Sequence, residues 1–392
     1  MNRTKITIAV QAATSAMIMG LASQAGAFEV TAENVKAEVY GYARMNAVYD
    51  IDEDIGASTQ SGAFSKVNTG TAENNEVTGV FDADAVQSRI GLRTTVAEDL
   101  KMVVEGDFRG NGGGDLRLRH AYGEYKGVLL GQTWSNYNSF VGNTSVLDFD
   151  ALAGNAGLQG RVTQARYTMG ALSFSAEDSN TSILNSGSSK ESLPTLTARF
   201  ESAAGPLSYS AAALVHQISY DTGSQSDDAV GYAVFGAAKF AITPGISIQG
   251  ALNYSDGANY YLYRSGEDFG AADAYVNGSS LETISGYGGT IGMGFDVGTG
   301  SINVGYGIVT NDWDDAEDDL GLAIATQSKD PAGNAILLGD QHETNSNVMV
   351  NYQFSPIKNV MMGVEYGYFM VDEVDGDDGD ANRILFAGQY NF

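Results

Sequence analysis

From Asp84 to Trp134 apolar and polar positions alternate with a period of two. Ile90, Leu92 and Thr94 interleave with Arg89, Gly91 and Arg93, and Leu100, Met102, Val104 and Phe108 with Lys101, Glu105, Asp107 and Arg109. Leu116 and Leu118 interleave with Arg117 and Arg119. Side chains on a strand point alternately to its two faces, so this block predicts four short strands with one apolar and one basic face. A soluble sheet turns its charged face outward, whereas a membrane barrel turns it into a wet lumen.

The rest of the chain favours the barrel. Lys36 to Tyr49 alternates, with Val39, Gly41, Ala43, Met45 and Ala47 opposing Glu38, Tyr40, Tyr42, Arg44 and Asn46, and Asp50 to Asp82 reads as a polar loop. Further strands are expected at Leu158–Met169, Ala171–Asp178, Leu193–Ala203, Leu207–Tyr220, Ala229–Ile242 and Gly245–Ser255. Others follow at Ser285–Val297, Gly300–Asn311, Glu343–Phe354, Asn359–Asp372 and Ala381–Phe392. Short turns (Gly170, Ala204-Gly205-Pro206, Thr243-Pro244-Gly245, Thr299-Gly300, Pro356-Ile357-Lys358) alternate with long acidic segments such as Asp256–Ile284 and Asp312–His342. That rhythm marks an all-β, transmembrane antiparallel barrel of roughly sixteen strands with both termini at the short-turn side. Ser135 to Gly157 lacks a clean period and carries Asp148 and Asp150. It reads as a long third loop folded into the lumen; the alternative is a surface loop with a short helix.

Composition fits. Five prolines, 49 glycines, 21 tyrosines and no cysteine suit closely spaced strands, tight turns and interfacial aromatics. The net charge of −27 argues against a nucleic-acid partner. Arg3 and Lys5, the apolar run Ile6 to Leu21 and Ala25-Gly26-Ala27 form a cleavable export signal over residues 1–27, leaving 28–392 as one barrel domain. A membrane anchor is the competing reading, but the run is short and broken by Gln11, Thr14 and Ser15. Phe392 ends an amphipathic strand and looks like the signal read by the outer-membrane barrel-assembly machinery.

Catalytic and metal chemistry is not legible. His120, His216 and His342 form no metal spacing, there is no G-x-S-x-G elbow, and no cofactor or enzyme activity is expected. His120 and Glu124 share the parity of Leu116 and Leu118, which places them outward at a subunit interface; a local bulge would reverse that. The acidic runs around Asp314–Asp319 and Asp372–Asp380 lack calcium-loop spacing and read as solvated loops beside lipopolysaccharide.

The segments VYGYARMNAVYD (39–50), SRIGLRTT (88–95), VEGDF (104–108), LRLRHAYGEY (116–125), LGQTWSN (130–136) and LDFDALAG (147–154) resemble the DcaP-like trimeric porins of Gram-negative outer membranes. The resemblance implies a sixteen-stranded barrel, a homotrimer and uptake of small acids including dicarboxylates. The residues themselves leave two readings: a diffusion porin selective for small anions, or a non-channel barrel acting as adhesin or structural anchor. The basic lumen face of Arg44, Arg89, Arg93, Lys101, Arg109, Arg117, Arg119 and Arg166 favours the porin. Neighbouring strands lie about 5 Å apart, so these cations are expected to form one patch opposite Asp148 and Asp150. The competing reading pairs them with Glu38, Glu105 and Asp107 as wall structure.

Overall fold

The computed structural model describes residues 28–32, 35–75, 77–97, 99–186, 188–329 and 335–392, so the expected export signal lies outside the described residues. Sixteen wall strands run in chain order. They are β1 (Val35–Asp50), β2 (Val80–Asp84 continued by Arg89–Val96), β3 (Leu100–Gly110), β4 (Asp115–Tyr125), β5 (Val128–Trp134) and β6 (Arg161–Met169). Next come β7 (Leu172–Glu177), β8 (Thr195–Ala204), β9 (Leu207–Asp221), β10 (Ser226–Thr243) and β11 (Ile246–Asp256). The last five are β12 (Ser285–Val297), β13 (Gly300–Asn311), β14 (His342–Phe354), β15 (Val360–Glu373) and β16 (Asp378–Asn391).

Each strand pairs antiparallel with its chain neighbour, and β1 pairs with β16 to close the sheet, Tyr42 opposite Asn391 and Asp50 opposite Arg383. Closure satisfies the edges that lipid cannot. A short strand, Phe28–Ala32, pairs with the start of β1, Phe28 opposite Val39, on the edge that β16 takes from Tyr42 onward. The expected strands recur within a few residues of their observed ends. One expectation changes: the loop read from Asp50 to Asp82 ends earlier, because Val80–Asp84 pairs with β1 as wall.

The outward face carries exposed Leu130, Val234, Ile291 and Phe386, with Tyr125, Tyr167, Tyr287 and Tyr390 among them. This is the lipid-facing band of such barrels. Inward positions hold buried polar residues such as Gln164, Thr197, Asn253 and Asn351. The acidic run at residues 314–320 is a short helix, Asp314–Leu320, with Ala316 buried and acids in its first turn, where the helix dipole favours them.

The seam is locked by a buried ion pair. Arg383 donates through Nε to Asp50 Oδ1 at 2.9 Å and through its second nitrogen to Oδ2 at 3.3 Å, with both side chains almost inaccessible. Removing one partner strands a buried charge, at a cost of about 3–5 kcal/mol. Arg383→Ala should therefore lower the temperature at which the barrel loses its heat-modifiable gel mobility; an unchanged transition would refute the seam's role.

Candidate functional site: a lumen constriction

The third loop, residues 135–160, folds into the barrel as expected and lies against β11 to β15. The amides of Leu147 and Asp148 donate to Glu365 at 2.8 and 2.7 Å, and the Ala153 amide donates to Asn347 Oδ1 at 3.0 Å. Asn351 and Asn253 donate to the carbonyls of Ser145 and Gly154 at 2.9 and 2.7 Å. The wall is glycine-lined for this contact: a Cβ at Gly307 would sit 2.2 Å from the Ala153 carbonyl oxygen, and one at Gly292 would sit 1.9 Å from Thr144 Oγ1. The apolar loop residues Leu147 and Leu152 are buried there.

The opposite wall, β2 to β6, carries the cations. Arg117 grips Asp107 with two hydrogen bonds, 3.0 and 2.7 Å. Arg119 bridges Glu105 (2.8 Å) and Asp107 (2.9 Å), and Arg89 lies 3.6 Å from Glu105. A bulge makes this cluster. Glu105 pairs with His120 but Gly106 with Leu118, so Arg119 is the extra residue and both Arg119 and His120 turn inward. This corrects the outward placement of His120 and Glu124. His120 is buried, 3.0 Å from Thr133 Oγ1, and Glu124 faces Tyr122 and Arg166 inside the lumen.

Between the two walls lies a cavity of about 540 Å³. Arg89, Arg109, Arg117, Arg119 and Arg161 line one side, and Phe149, Asp150, Tyr260 and Tyr263 line the other. The expected single patch thus divides. Arg44 holds the loop, donating to the Leu147 carbonyl at 2.8 Å and to Asn46 at 2.9 Å. Arg93 pairs with Glu38 at 3.3 Å over the Tyr40 ring, Lys101 is exposed towards the short-turn end, and Arg166 stands apart from the cavity beside Glu124 and Glu177. Of the two loop acids only Asp150 reaches the cavity. Asp148 accepts from the amides of Gly62, Asp150 and Ala151 and is a loop cap, its carboxyl pushed up by burial.

Two cations escaped the sequence reading. Arg161 shares the parity of the outward Thr163, Ala165 and Tyr167, yet as the first residue of β6 it lines the cavity and stacks 4.5 Å over Trp134. Arg264 belongs to the sixth loop, residues 257–284, within a stretch read from the sequence only as a long acidic segment. Its only local signal is the aromatic run Tyr260-Tyr261-Leu262-Tyr263 before it. It is fully buried and donates to Asp268 (3.0 Å) and to the carbonyls of Ala151 (2.9 Å) and Gly62 (2.6 Å).

A closed barrel with a loop folded across a charged lumen is the architecture of an outer-membrane channel. Residues 21–282 match the model of the DcaP outer membrane protein family, and the chain belongs to that family. The crystal structure of the outer membrane channel DcaP of Acinetobacter baumannii superposes with a TM-score of 0.76 at 27% identity, covering 92% of this chain and 99% of that one. An anion-selective porin from Comamonas acidovorans (TM-score 0.56, 13% identity, 91% and 100% covered) shares the fold alone. So does OmpT of Vibrio cholerae (0.53, 12%, 93% and 99%). No curated protein matches the chain.

Loop 6 holds a buried carboxyl. Asp273 is fully buried, and burial pushes its carboxyl up to about 7 although the amides of Ser182 (2.9 Å) and Tyr260 (3.0 Å) donate to it. An unfolded aspartate titrates near ~3.9, so between ~4 and ~7 the folded loop keeps a proton that the unfolded loop gives up. Stability from this group is full below that window and falls as pH rises through it. Hydrogen exchange of 257–284, corrected for intrinsic rates, should show more opening at pH 8 than at pH 5. Asp273→Asn should shrink the difference; equal opening at both pH values in the unmodified protein would contradict the assignment.

Proposed function

We propose that the protein is a passive diffusion channel selective for small anions such as organic mono- and dicarboxylates, assembled as a homotrimer. The observation that carries this is the charge balance of the constriction. Five guanidiniums of the β2–β6 wall face the cavity, and the carboxylates in contact with them are Glu105 and Asp107. Pairing with the wall leaves a surplus: buried nitrogens of Arg89, Arg109 and Arg161 have no hydrogen-bond partner. A guanidinium keeps its charge at any working pH and takes a carboxylate through two parallel bonds, so a lining with more guanidiniums than carboxylates suits a passing carboxylate. Asp150 across the passage keeps the binding weak enough for release. An adhesin or anchor gives these unpaired cations no role.

Arg109→Ala combined with Arg161→Ala should move the reversal potential in a potassium chloride gradient towards cations and weaken block by a dicarboxylate. Both are chosen because neither holds a wall acid. Unchanged selectivity and block in the folded double variant would sink the anion reading.

The trimer is supported by the height of the wall. A strand needs about 9–11 residues to cross the apolar core. β5 and β7 have 7 and 6, whereas β9 and β10 have 15 and 18. The low side is too short to face lipid alone, and neighbouring copies would cover it. Light scattering of detergent-purified protein should give a mass of three chains, and a monomer mass would count against this. The export signal at 1–27 and the assembly signal at Phe392 belong to the same reading. Phe392 exchanges backbone bonds of 3.2 and 3.1 Å with Gly41 at the seam. The acidic outer loops would face lipopolysaccharide.

A further inference from the structure

Three extracellular loops meet at one side chain. Arg264 of loop 6 reaches the Gly62 carbonyl in loop 1 and the Ala151 carbonyl in loop 3, and it holds Asp268 of its own loop through two nitrogens at 3.1 and 3.0 Å. Its guanidinium lies 4.4 Å from the centre of the Phe64 ring and 5.5 Å from that of Phe369, so loop 1 and β15 close its faces. The same junction is tied twice more, by the Gly154 amide to the Tyr263 carbonyl at 2.9 Å and by the Gly62 amide to Asp148 at 2.9 Å. Asp150 and Tyr263, which form the acidic and aromatic rim of the constriction, are the chain neighbours of Ala151 and Arg264. On that side the rim is carried by this junction together with Asn345 of β14, which donates to the carbonyls of Arg264 and Gly266 at 2.8 and 2.6 Å.

We infer that Arg264 is the positioning residue of the pore. It pins loop 6 to loops 1 and 3, fixes the distance from the rim to the arginine wall, and so sets the aperture over which the guanidiniums act. This deepens the reading of the constriction as an anion path and rests on it. A lysine cannot replace the fork, because four hydrogen bonds to three acceptors in different directions need a planar group with several fixed donors. With the pin released, loop 6 keeps its ties to Asn345 of β14 and, through Asp273, to Ser182, but it loses the guanidinium's ties to loops 1 and 3, and the rim can shift. The aperture then widens and fluctuates, and fixed charges at a wide aperture discriminate less between ions.

The test compares the full-length trimer in planar bilayers with Arg264→Ala and with Asp268→Asn, which preserves shape but removes the counter-charge. Neither group is in the wall, so both variants should keep the unmodified heat-modifiable mobility. The expected result is a larger and noisier single-channel current with brief closures. The anion-to-cation permeability ratio should fall towards one, losing most of the preference that the unmodified channel shows. Quiet channels with unmodified conductance and permeability ratio in both variants would overturn the assignment. If the unmodified channel itself prefers no anion, the proposed function fails, while current noise and conductance still decide the role of Arg264. If Arg264→Ala does not assemble, Asp268→Asn decides on the same readouts.

Discussion

Closure of the sheet is the constraint on which everything else depends. Only when β1 meets β16 does every strand edge find a partner, and only then does the chain have an inside. A polar face that would be solvent-exposed in an open sheet becomes the wall of an aqueous lumen, and lipid takes the other face. The buried Asp50–Arg383 pair sits in that seam, directly cross-strand, so the charge pairing and the register there specify each other.

Within the lumen the two walls do opposite work. The glycine-rich side, β12 and β13, has given up side chains so that a loop can press against it; the arginine side, β2 to β6, keeps long side chains and stays open. The passage is the space between. The arginines carry both roles weighed from the sequence. Arg117 and Arg119 hold Asp107 and Glu105 and stiffen the wall, while Arg109 and Arg161 keep donors unspent. Pairing and surplus coexist because cations outnumber the acids within reach.

The constriction is built from three loops rather than one. Loop 3 supplies the bulk, loop 1 caps Asp148, and loop 6 closes the outer side through Tyr260, Tyr263 and Arg264. Small apolar clusters, among them Leu184, Tyr275, Trp313 and Leu338, give the outer loops a core of their own. The loops are thus a packed cap with apolar contacts of its own, hydrogen-bonded to the wall through Asn253, Asn345, Asn347 and Asn351.

The strands, their number, the side that carries short turns, the in-folded loop and most of the cationic wall were determined by the sequence alone. A barrel strand writes its two environments into every second residue, so period and parity suffice wherever the pairing is regular. Parity fails where the pairing is irregular or the strand ends: the bulge at Arg119 turned His120 and Glu124 inward, and Arg161 at the first position of β6 reaches the cavity over Trp134. It is also silent about loops, which have no period. That loop 1 reaches Asp148, and that Arg264 joins three loops, follows from contacts between residues 86 to 202 positions apart. Such contacts depend on where the closed wall places each loop, and only the tertiary structure decides that.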